Sequence, residues 1–302
     1  MRGLYDYIGI KAVLFAGAGA LLGGCGDLAV LDPKGPIGQE ETFLIYMAFA
    51  LMLIVVVPVF VMVVWFAVRY RASNVKADYR PAWANSVWIE RVIWTVPLLI
   101  VIALSYLTWT KTHRLDPYRP IASAVKPLHI DVVSLDWNWL FIYPDYGIAA
   151  VNELVLPANV PLSFRLTSAS VMTSFFIPRL GSQMYAMAGM QTRLHLMADE
   201  PGTYRGRNLE FSGHGYADMH FDAVVKTPEK FDAWLGEARQ SSNVLDMAAY
   251  EKLSAPQARH PETVYTGVVP GLFDHVLKRY RGWMGGEEGM KMPYGGEGAR
   301  HE

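Results

Sequence analysis

The sequence predicts two membrane-spanning α-helices in an antiparallel hairpin, then an exported all-β Greek-key domain, then a short helical segment. Three observations carry that fold class. Two long apolar runs contain no charge, the stretch between them is rich in arginine and lysine, and beyond residue 110 short alternating segments are separated by turn residues. The chain has 302 residues, of which 52% are hydrophobic and 18% charged, with a formal net charge of -1. This balance indicates membrane association, and near-neutrality removes the electrostatic basis for nucleic-acid binding.

The N-terminus comes first. Arg2 and Lys11 precede the uncharged stretch Ala12 to Leu22, which is too short to span a bilayer and reads as the apolar part of a signal peptide over residues 1–24. Leu22-Gly23-Gly24-Cys25 resembles the bacterial lipoprotein box, in which the cysteine is lipidated and becomes the mature N-terminus. The alternative is a buried cysteine in a signal anchor. Cys25 is the one cysteine of the sequence, so neither an internal disulfide nor a site needing two thiolates can form.

After a mature N-terminal stretch over 25–41, the apolar residues 42–68 exceed the roughly 30 Å hydrocarbon core at about 1.5 Å of rise per residue. Pro58 lies inside this first span and is expected to kink it. A second span covers 92–110, with Trp94 and Trp109 near the two interfaces. The loop 69–91 carries Arg69, Arg71, Lys76, Arg80 and Arg91 against Asp78 and Glu90, which places it in the cytoplasm. Both mature ends then lie outside, in agreement with the leader, which rests on different residues.

From 111 to 227 the composition is that of a soluble domain. In PLSFRLTS, Leu162, Phe164 and Leu166 share one face; in MHFDAVVK, Met219, Phe221, Ala223 and Val225 do so. HIDVV, WNWLFIY, VNELVL and TRLHLM are further candidate strands, punctuated by Pro157, Pro161, Gly202 and Gly213. Many short strands without helical periodicity between them predict a sandwich or barrel. Residues 228–284 turn helical and aromatic. Pro228 to Arg239 reads as a helix capped by Thr227 with Phe231, Trp234 and Leu235 on its buried side, followed by helices over Asp246 to Leu253 and Gly271 to Arg281. The glycine-rich tail 285–302 reads as disordered.

A lipobox, two spans and an exported β-domain containing DWNWLFIYPDYGIAAVNELVLPANVPLSFRLTS resemble subunit II of the haem-copper terminal oxidases. SVMTSFFIPRLGSQMYAMAGMQTRLHL, Ser170 to Leu196, is similar to the cytochrome bo-type ubiquinol oxidase branch. The resemblance implies a cupredoxin-like fold for the periplasmic domain. It also implies a place in the bacterial inner membrane beside subunit I and further small oxidase subunits, with membrane lipid around the spans. In such a complex ubiquinol is oxidised, oxygen is reduced to water and protons are pumped, and the haems and copper are expected in subunit I. No cofactor is expected in this chain.

In the cytochrome c oxidase branch the same domain holds a two-copper centre, through a histidine and the pattern C-x-E-x-C-G-x-x-H-x-x-M. Laid on this sequence, the pattern falls on Asn208, Glu210, Ser212, Gly213, Tyr216 and Met219, and the separate histidine on Thr173. Asn208, Ser212, Tyr216 and Thr173 have lost the ligand type, while Glu210 and Met219 keep it. Thiolates select and hold cuprous copper in electron-transfer sites, and asparagine or serine cannot bridge two metals in their place. His214 and His220 with Met219 are the residues left for a lone copper; the plainer reading makes His220 an outward strand residue and His214 a solvated turn residue. Met184, Met187 and Met190 offer thioethers but are expected to pack. Trp137, Trp139, Phe141 and Tyr143 alternate and are expected to form one ring-lined strand face in a core or interface.

Glu90 opens the second span at its cytoplasmic end, where a helix N-terminus favours a carboxylate. The resemblance adds a second role, because in the family a glutamate in this stretch, here IERVIWTVP, lies near the mouth of the lysine proton pathway of the large subunit. Two other readings fit parts of the sequence. One is a cytochrome c oxidase subunit II, against which the missing thiolates stand; the other is a non-enzymatic membrane lipoprotein that binds copper or an assembly partner.

Overall fold

The computed structural model describes residues 28–76, 83–257 and 259–284. The expected signal peptide, Cys25, Asp78 and Arg80 of the connecting loop, and the tail from 285 lie outside the described residues. Two helices, α1 (Pro36–Arg69) and α2 (Val87–Arg114), are long and apolar enough to cross a membrane. Each continues through its internal proline, Pro58 or Pro97. Both exceed the apolar stretches read from the sequence. Pro36 occupies the start of α1, where its missing N–H costs nothing, and Lys111, His113 and Arg114 favour the negative end of the α2 dipole.

The strands follow in the order β1 (Leu128–Ser134), β2 (Trp139–Tyr143), β3 (Ile148–Val151), β4 (Glu153–Pro157), β5 (Leu162–Ser168) and β6 (Thr173–Ile177). Then come β7 (Gly181–Ala186), β8 (Thr192–Leu196), β9 (Gly202–Arg207), β10 (His220–Lys226) and β11 (Thr263–Tyr265). They form two sheets, ordered β11-β3-β2-β1-β5-β8 and β4-β10-β9-β6-β7. The pairings β1 with β5 and β10 with β4 are parallel, so the chain crosses between sheets, as in a cupredoxin-like sandwich. The inner faces meet in one core that includes Ile130, Trp139, Phe141, Phe164, Phe175 and Phe221. Phe175 and Phe221 stack with centroids 5.2 Å apart, and Trp139 meets both edge-on at 5.6 Å.

The six-stranded sheet is buried on both faces, which is why β2 reads as an unbroken apolar run. Its outer residues Val133, Leu140, Ile142 and Val151 are covered by Tyr250 and Leu253 of α4 (Met247–Ser254) and by Leu272, Phe273 and Val276 of α5 (Leu272–Met284). One further helix, α3 (Pro228–Ala238), adds Phe231, Trp234 and Leu235 to the inner core, and the Thr227 hydroxyl accepts from the Lys230 N–H at 3.5 Å.

Several expectations need correction. VNELVL is not one strand: Asn152 takes a left-handed conformation (φ 58°), and the chain passes there from β3 in one sheet to β4 in the other. Trp137 does not share the ring-lined face, because at φ 63° it lies before β2; Trp139, Phe141 and Tyr143 do. Gly202 opens β9 rather than a turn. β6, β7, β9 and β11 lacked a clear alternating signal and were not anticipated.

The two parts of the chain are joined tightly. Residues 34–41 lie against the turn between β6 and β7, where the Lys34 and Gly38 N–H groups donate to Arg179 O (2.6 Å) and Leu180 O (3.0 Å). The Glu41 carboxylate accepts from the Ser182 N–H (3.0 Å) and hydroxyl (2.8 Å), and Lys111 of α2 pairs with Glu40.

Candidate functional site

The segment that joins β9 to β10, residues 208–219, leaves the second sheet as a closed loop. Its neck is fastened by the Asn208 N–H to Met219 O bond at 3.1 Å. Inside it, a single helical turn over Tyr216–Asp218 is held by the Tyr216, Asp218 and Met219 N–H groups on Gly213 O, Gly215 O and Tyr216 O, each at 3.1 Å. Gly213 has φ 103°, a conformation that side chains disfavour. The Trp137 indole lies on the glycine turn and its N–H donates to Ser212 O at 2.8 Å. A Cβ on Gly215 would overlap that ring, so the glycine permits the approach.

The pattern positions converge only in part. Asn208 is 4% exposed, and its amide nitrogen lies 2.7 Å from Glu210 O, 3.2 Å from the Ser212 hydroxyl and 3.3 Å from the Met219 sulfur. Its Oδ1 accepts from the N–H groups of Ser174 (2.8 Å) and Glu210 (3.0 Å). The Ser212 hydroxyl in turn lies 3.6 Å from the Met219 sulfur. Glu210 contributes its backbone rather than its carboxylate to this cluster. Thr173 is buried with its hydroxyl unpartnered, and Tyr216 packs its ring on Phe211 at 5.7 Å. The side chains of Asn208, Ser212 and Met219 are therefore bonded together, whereas the Thr173 hydroxyl takes no part and Tyr216 turns its ring to Phe211.

This donor set does not fit a two-copper centre. A carboxamide nitrogen presents hydrogens, not lone pairs, and here those hydrogens point at the hydroxyl and the thioether that would have to ligate. Nor do the histidines assemble a site. His214 is exposed on the turn, while Met219 is 1% exposed and faces the core. His220, the next residue, lies on the outer face of β10, beside a cleft of about 360 Å³ that Arg205, Arg207 and Tyr216 also line. Burial and the nearby Arg259 and Arg205 hold its imidazole below the usual histidine range. Among the described residues, no group of three or more His, Cys, Asp or Glu is placed to hold a metal ion. Of the methionines, Met184 packs against the core and Met190 is exposed.

Glu90 lies in the first turn of α2, exposed, at the opposite end of the helix from the β-domain. The clamp at Glu41 and Ser182 and the seat of Trp137 on the glycine turn were missed by sequence reasoning. The signals were present as a polar QEE run before the apolar span and as two glycines flanking His214, but neither names its partner.

Comparison with known proteins accords with this architecture. The family described as "Cytochrome C oxidase subunit II, periplasmic domain" matches residues 147–227, and "COX Aromatic Rich Motif" matches 239–283. "Cytochrome bo(3) ubiquinol oxidase subunit 2" of Pseudomonas putida is 52% identical over 262 residues, covering 87% of this chain and 83% of that relative. The protein of the same description from Pseudomonas aeruginosa is 49% identical over 260 residues, covering 86% and 78%. "Ubiquinol oxidase subunit 2" of Acetobacter aceti is 48% identical over 266 residues, covering 87% and 86%.

Proposed function

The chain belongs to the subunit II family of ubiquinol oxidases, and from that membership we propose that it serves its complex without a redox centre of its own. It is a membrane-anchored subunit of a haem-copper oxidase complex and partners subunit I. In the proposed reading the haems and copper reside in subunit I, which oxidises ubiquinol, reduces oxygen and pumps protons. This chain contributes two helices, a periplasmic domain and, at Glu90, an acid that collects protons on the cytoplasmic side. Cys25 carries the lipid that tethers its mature N-terminus to the outer face of a bacterial inner membrane. Quinol arrives within the bilayer, so a copper relay facing the periplasm would have no donor to serve.

One observation carries the non-redox reading. The positions that would hold bridging thiolates are Asn208 and Ser212, bonded to each other at 3.2 Å, and the sole cysteine of the sequence lies elsewhere. The test is metal analysis of the purified complex, followed by separation of its subunits. Copper is expected to remain with the large haem-bearing subunit. Stoichiometric copper travelling with this chain would overturn the reading.

A further inference from the structure

We infer that Asn208 fixes the shape of the 208–219 loop by hydrogen bonding, with no metal needed to hold it. This goes beyond the non-redox reading, which would hold equally for a loop of no fixed shape.

A loop with two glycines loses much conformational entropy on ordering, so its shape needs fasteners. The backbone bonds at the neck close the loop, and Trp137 holds its tip through Ser212 O. Between them lies the Asn208 side chain. The Asn208 carboxamide has two hydrogens and two acceptor sites, and every one is engaged. Its nitrogen faces Glu210 O, the Ser212 hydroxyl and the Met219 sulfur, and its oxygen takes the Ser174 and Glu210 N–H groups. It thereby ties β6, the outgoing arm of the loop and the residue before β10 at one buried point. Few side chains could replace it. Aspartate keeps the acceptor and loses the donors, alanine loses both, and serine is too short to reach both sides. Because this carboxamide is buried, its loss strands several polar groups away from water, which is costly.

The experiment is hydrogen exchange on the full chain in detergent, read at the Tyr216, Asp218 and Met219 amides, which are bonded within the loop. Asn208→Ala and Asn208→Asp are expected to speed exchange there by about tenfold to a hundredfold, with the β2 amides unchanged. His214→Ala, at an exposed turn residue, is expected to change nothing. Wild-type exchange is expected to be indifferent to added copper sulfate and to a chelator. Wild-type exchange rates in Asn208→Ala would overturn the inference, as would protection of the wild-type loop by copper. If Asn208→Ala does not fold, Ser212→Ala supplies the milder perturbation, with a smaller rise at the same amides expected; no rise counts against the inference. A copper-free chain whose loop ignores Asn208 would sink this inference and leave the non-redox reading standing.

Discussion

Arg165→Met breaks a charge pair whose carboxylate is buried beneath the C-terminal segment and whose guanidinium also lies 3.9 Å from Asp274 of α5. Asp131 of β1 and Arg165 of β5 are directly paired on the outer face of the six-stranded sheet. The guanidinium forks onto the carboxylate with Nε to Oδ1 at 2.6 Å and Nη2 to Oδ2 at 2.5 Å, and it lies 4.7 Å from the centroid of the Phe273 ring on α5. Asp131 is 3% exposed, so methionine in place of Arg165 leaves a buried carboxylate without its cation. Breaking such a pair costs about 3–5 kcal/mol, and the lost cation–ring contact lies within that range. For a domain of this size the expected fall in Tm is roughly 6–20 °C.

The deficit also depends on pH. Burial pushes the Asp131 carboxyl above its ordinary value, and the two bonds from Arg165 oppose that rise. In the variant the opposition disappears and the carboxyl rises further. A carboxyl raised in the folded state binds its proton more tightly there than in the unfolded chain. Stability is therefore highest below the unfolded value, about 3.9, and is lost as pH climbs through the folded one. The deficit should accordingly be full at pH 7.5 and smaller at pH 5. Denaturant unfolding of the full chain in detergent, followed by near-ultraviolet circular dichroism, measures both. Asp131→Asn combined with Arg165→Met should recover much of the loss. An unchanged midpoint at pH 7.5, or a deficit equal at the two pH values, refutes the assignment of the cost to the stranded carboxylate.

Three other perturbations are expected to have separable outcomes. Gly215→Ala places a methyl in the Trp137 ring and should cost about 1–3 kcal/mol while shifting tryptophan emission to the red; unchanged emission would mean the ring does not rest there. Truncation after Ala238 removes α4, β11 and α5 and uncovers Val133, Leu140, Ile142 and Val151, so the shortened chain should bind an apolar dye and aggregate. A monomeric product that ignores the dye would show the cover to be dispensable. Glu90→Gln in the assembled oxidase should slow turnover without changing subunit content, because the amide cannot carry a proton; wild-type turnover would remove the proposed proton-uptake role.

What could be read from the sequence followed how local each signal was. The spans needed only composition and length, and β5 and β10 needed only their own alternation, since one face of each meets the core. β2 was recognised as a strand, but its burial on both faces depends on helices over a hundred residues later in the chain. β11 has three residues and exists because β3 offers it an edge, which no local pattern records. The split at Asn152 depends on a left-handed residue whose side chain serves the Trp139 N–H, Asn138 and His260 O. That asparagine and serine stand at the two thiolate positions was legible because it concerns residue type; the carboxamide cluster was not, because it concerns geometry.

The junction between membrane and domain carries a consequence for how the chain is held in its complex. Residues before the apolar part of α1 contact the β6–β7 turn through backbone bonds and through Glu41, and Gly181 (φ 102°) lies so close to Gly38 that a Cβ would come within 2.8 Å of the Gly38 nitrogen. On the other side of the same segment, the Asp199 N–H donates to Lys34 O at 2.8 Å and Lys34 pairs with Glu200 at 3.0 Å. The link from α2 is thinner: after Arg114 the chain runs to β1 with Pro117 O accepting from the His195 N–H at 3.1 Å. Backbone contacts of this kind leave little freedom for hinge motion, whereas a linker with few bonds leaves more. The domain is thus expected to ride on α1. Its orientation over the membrane follows from the seating of that helix, and a partner subunit that grips α1 fixes the periplasmic domain as well.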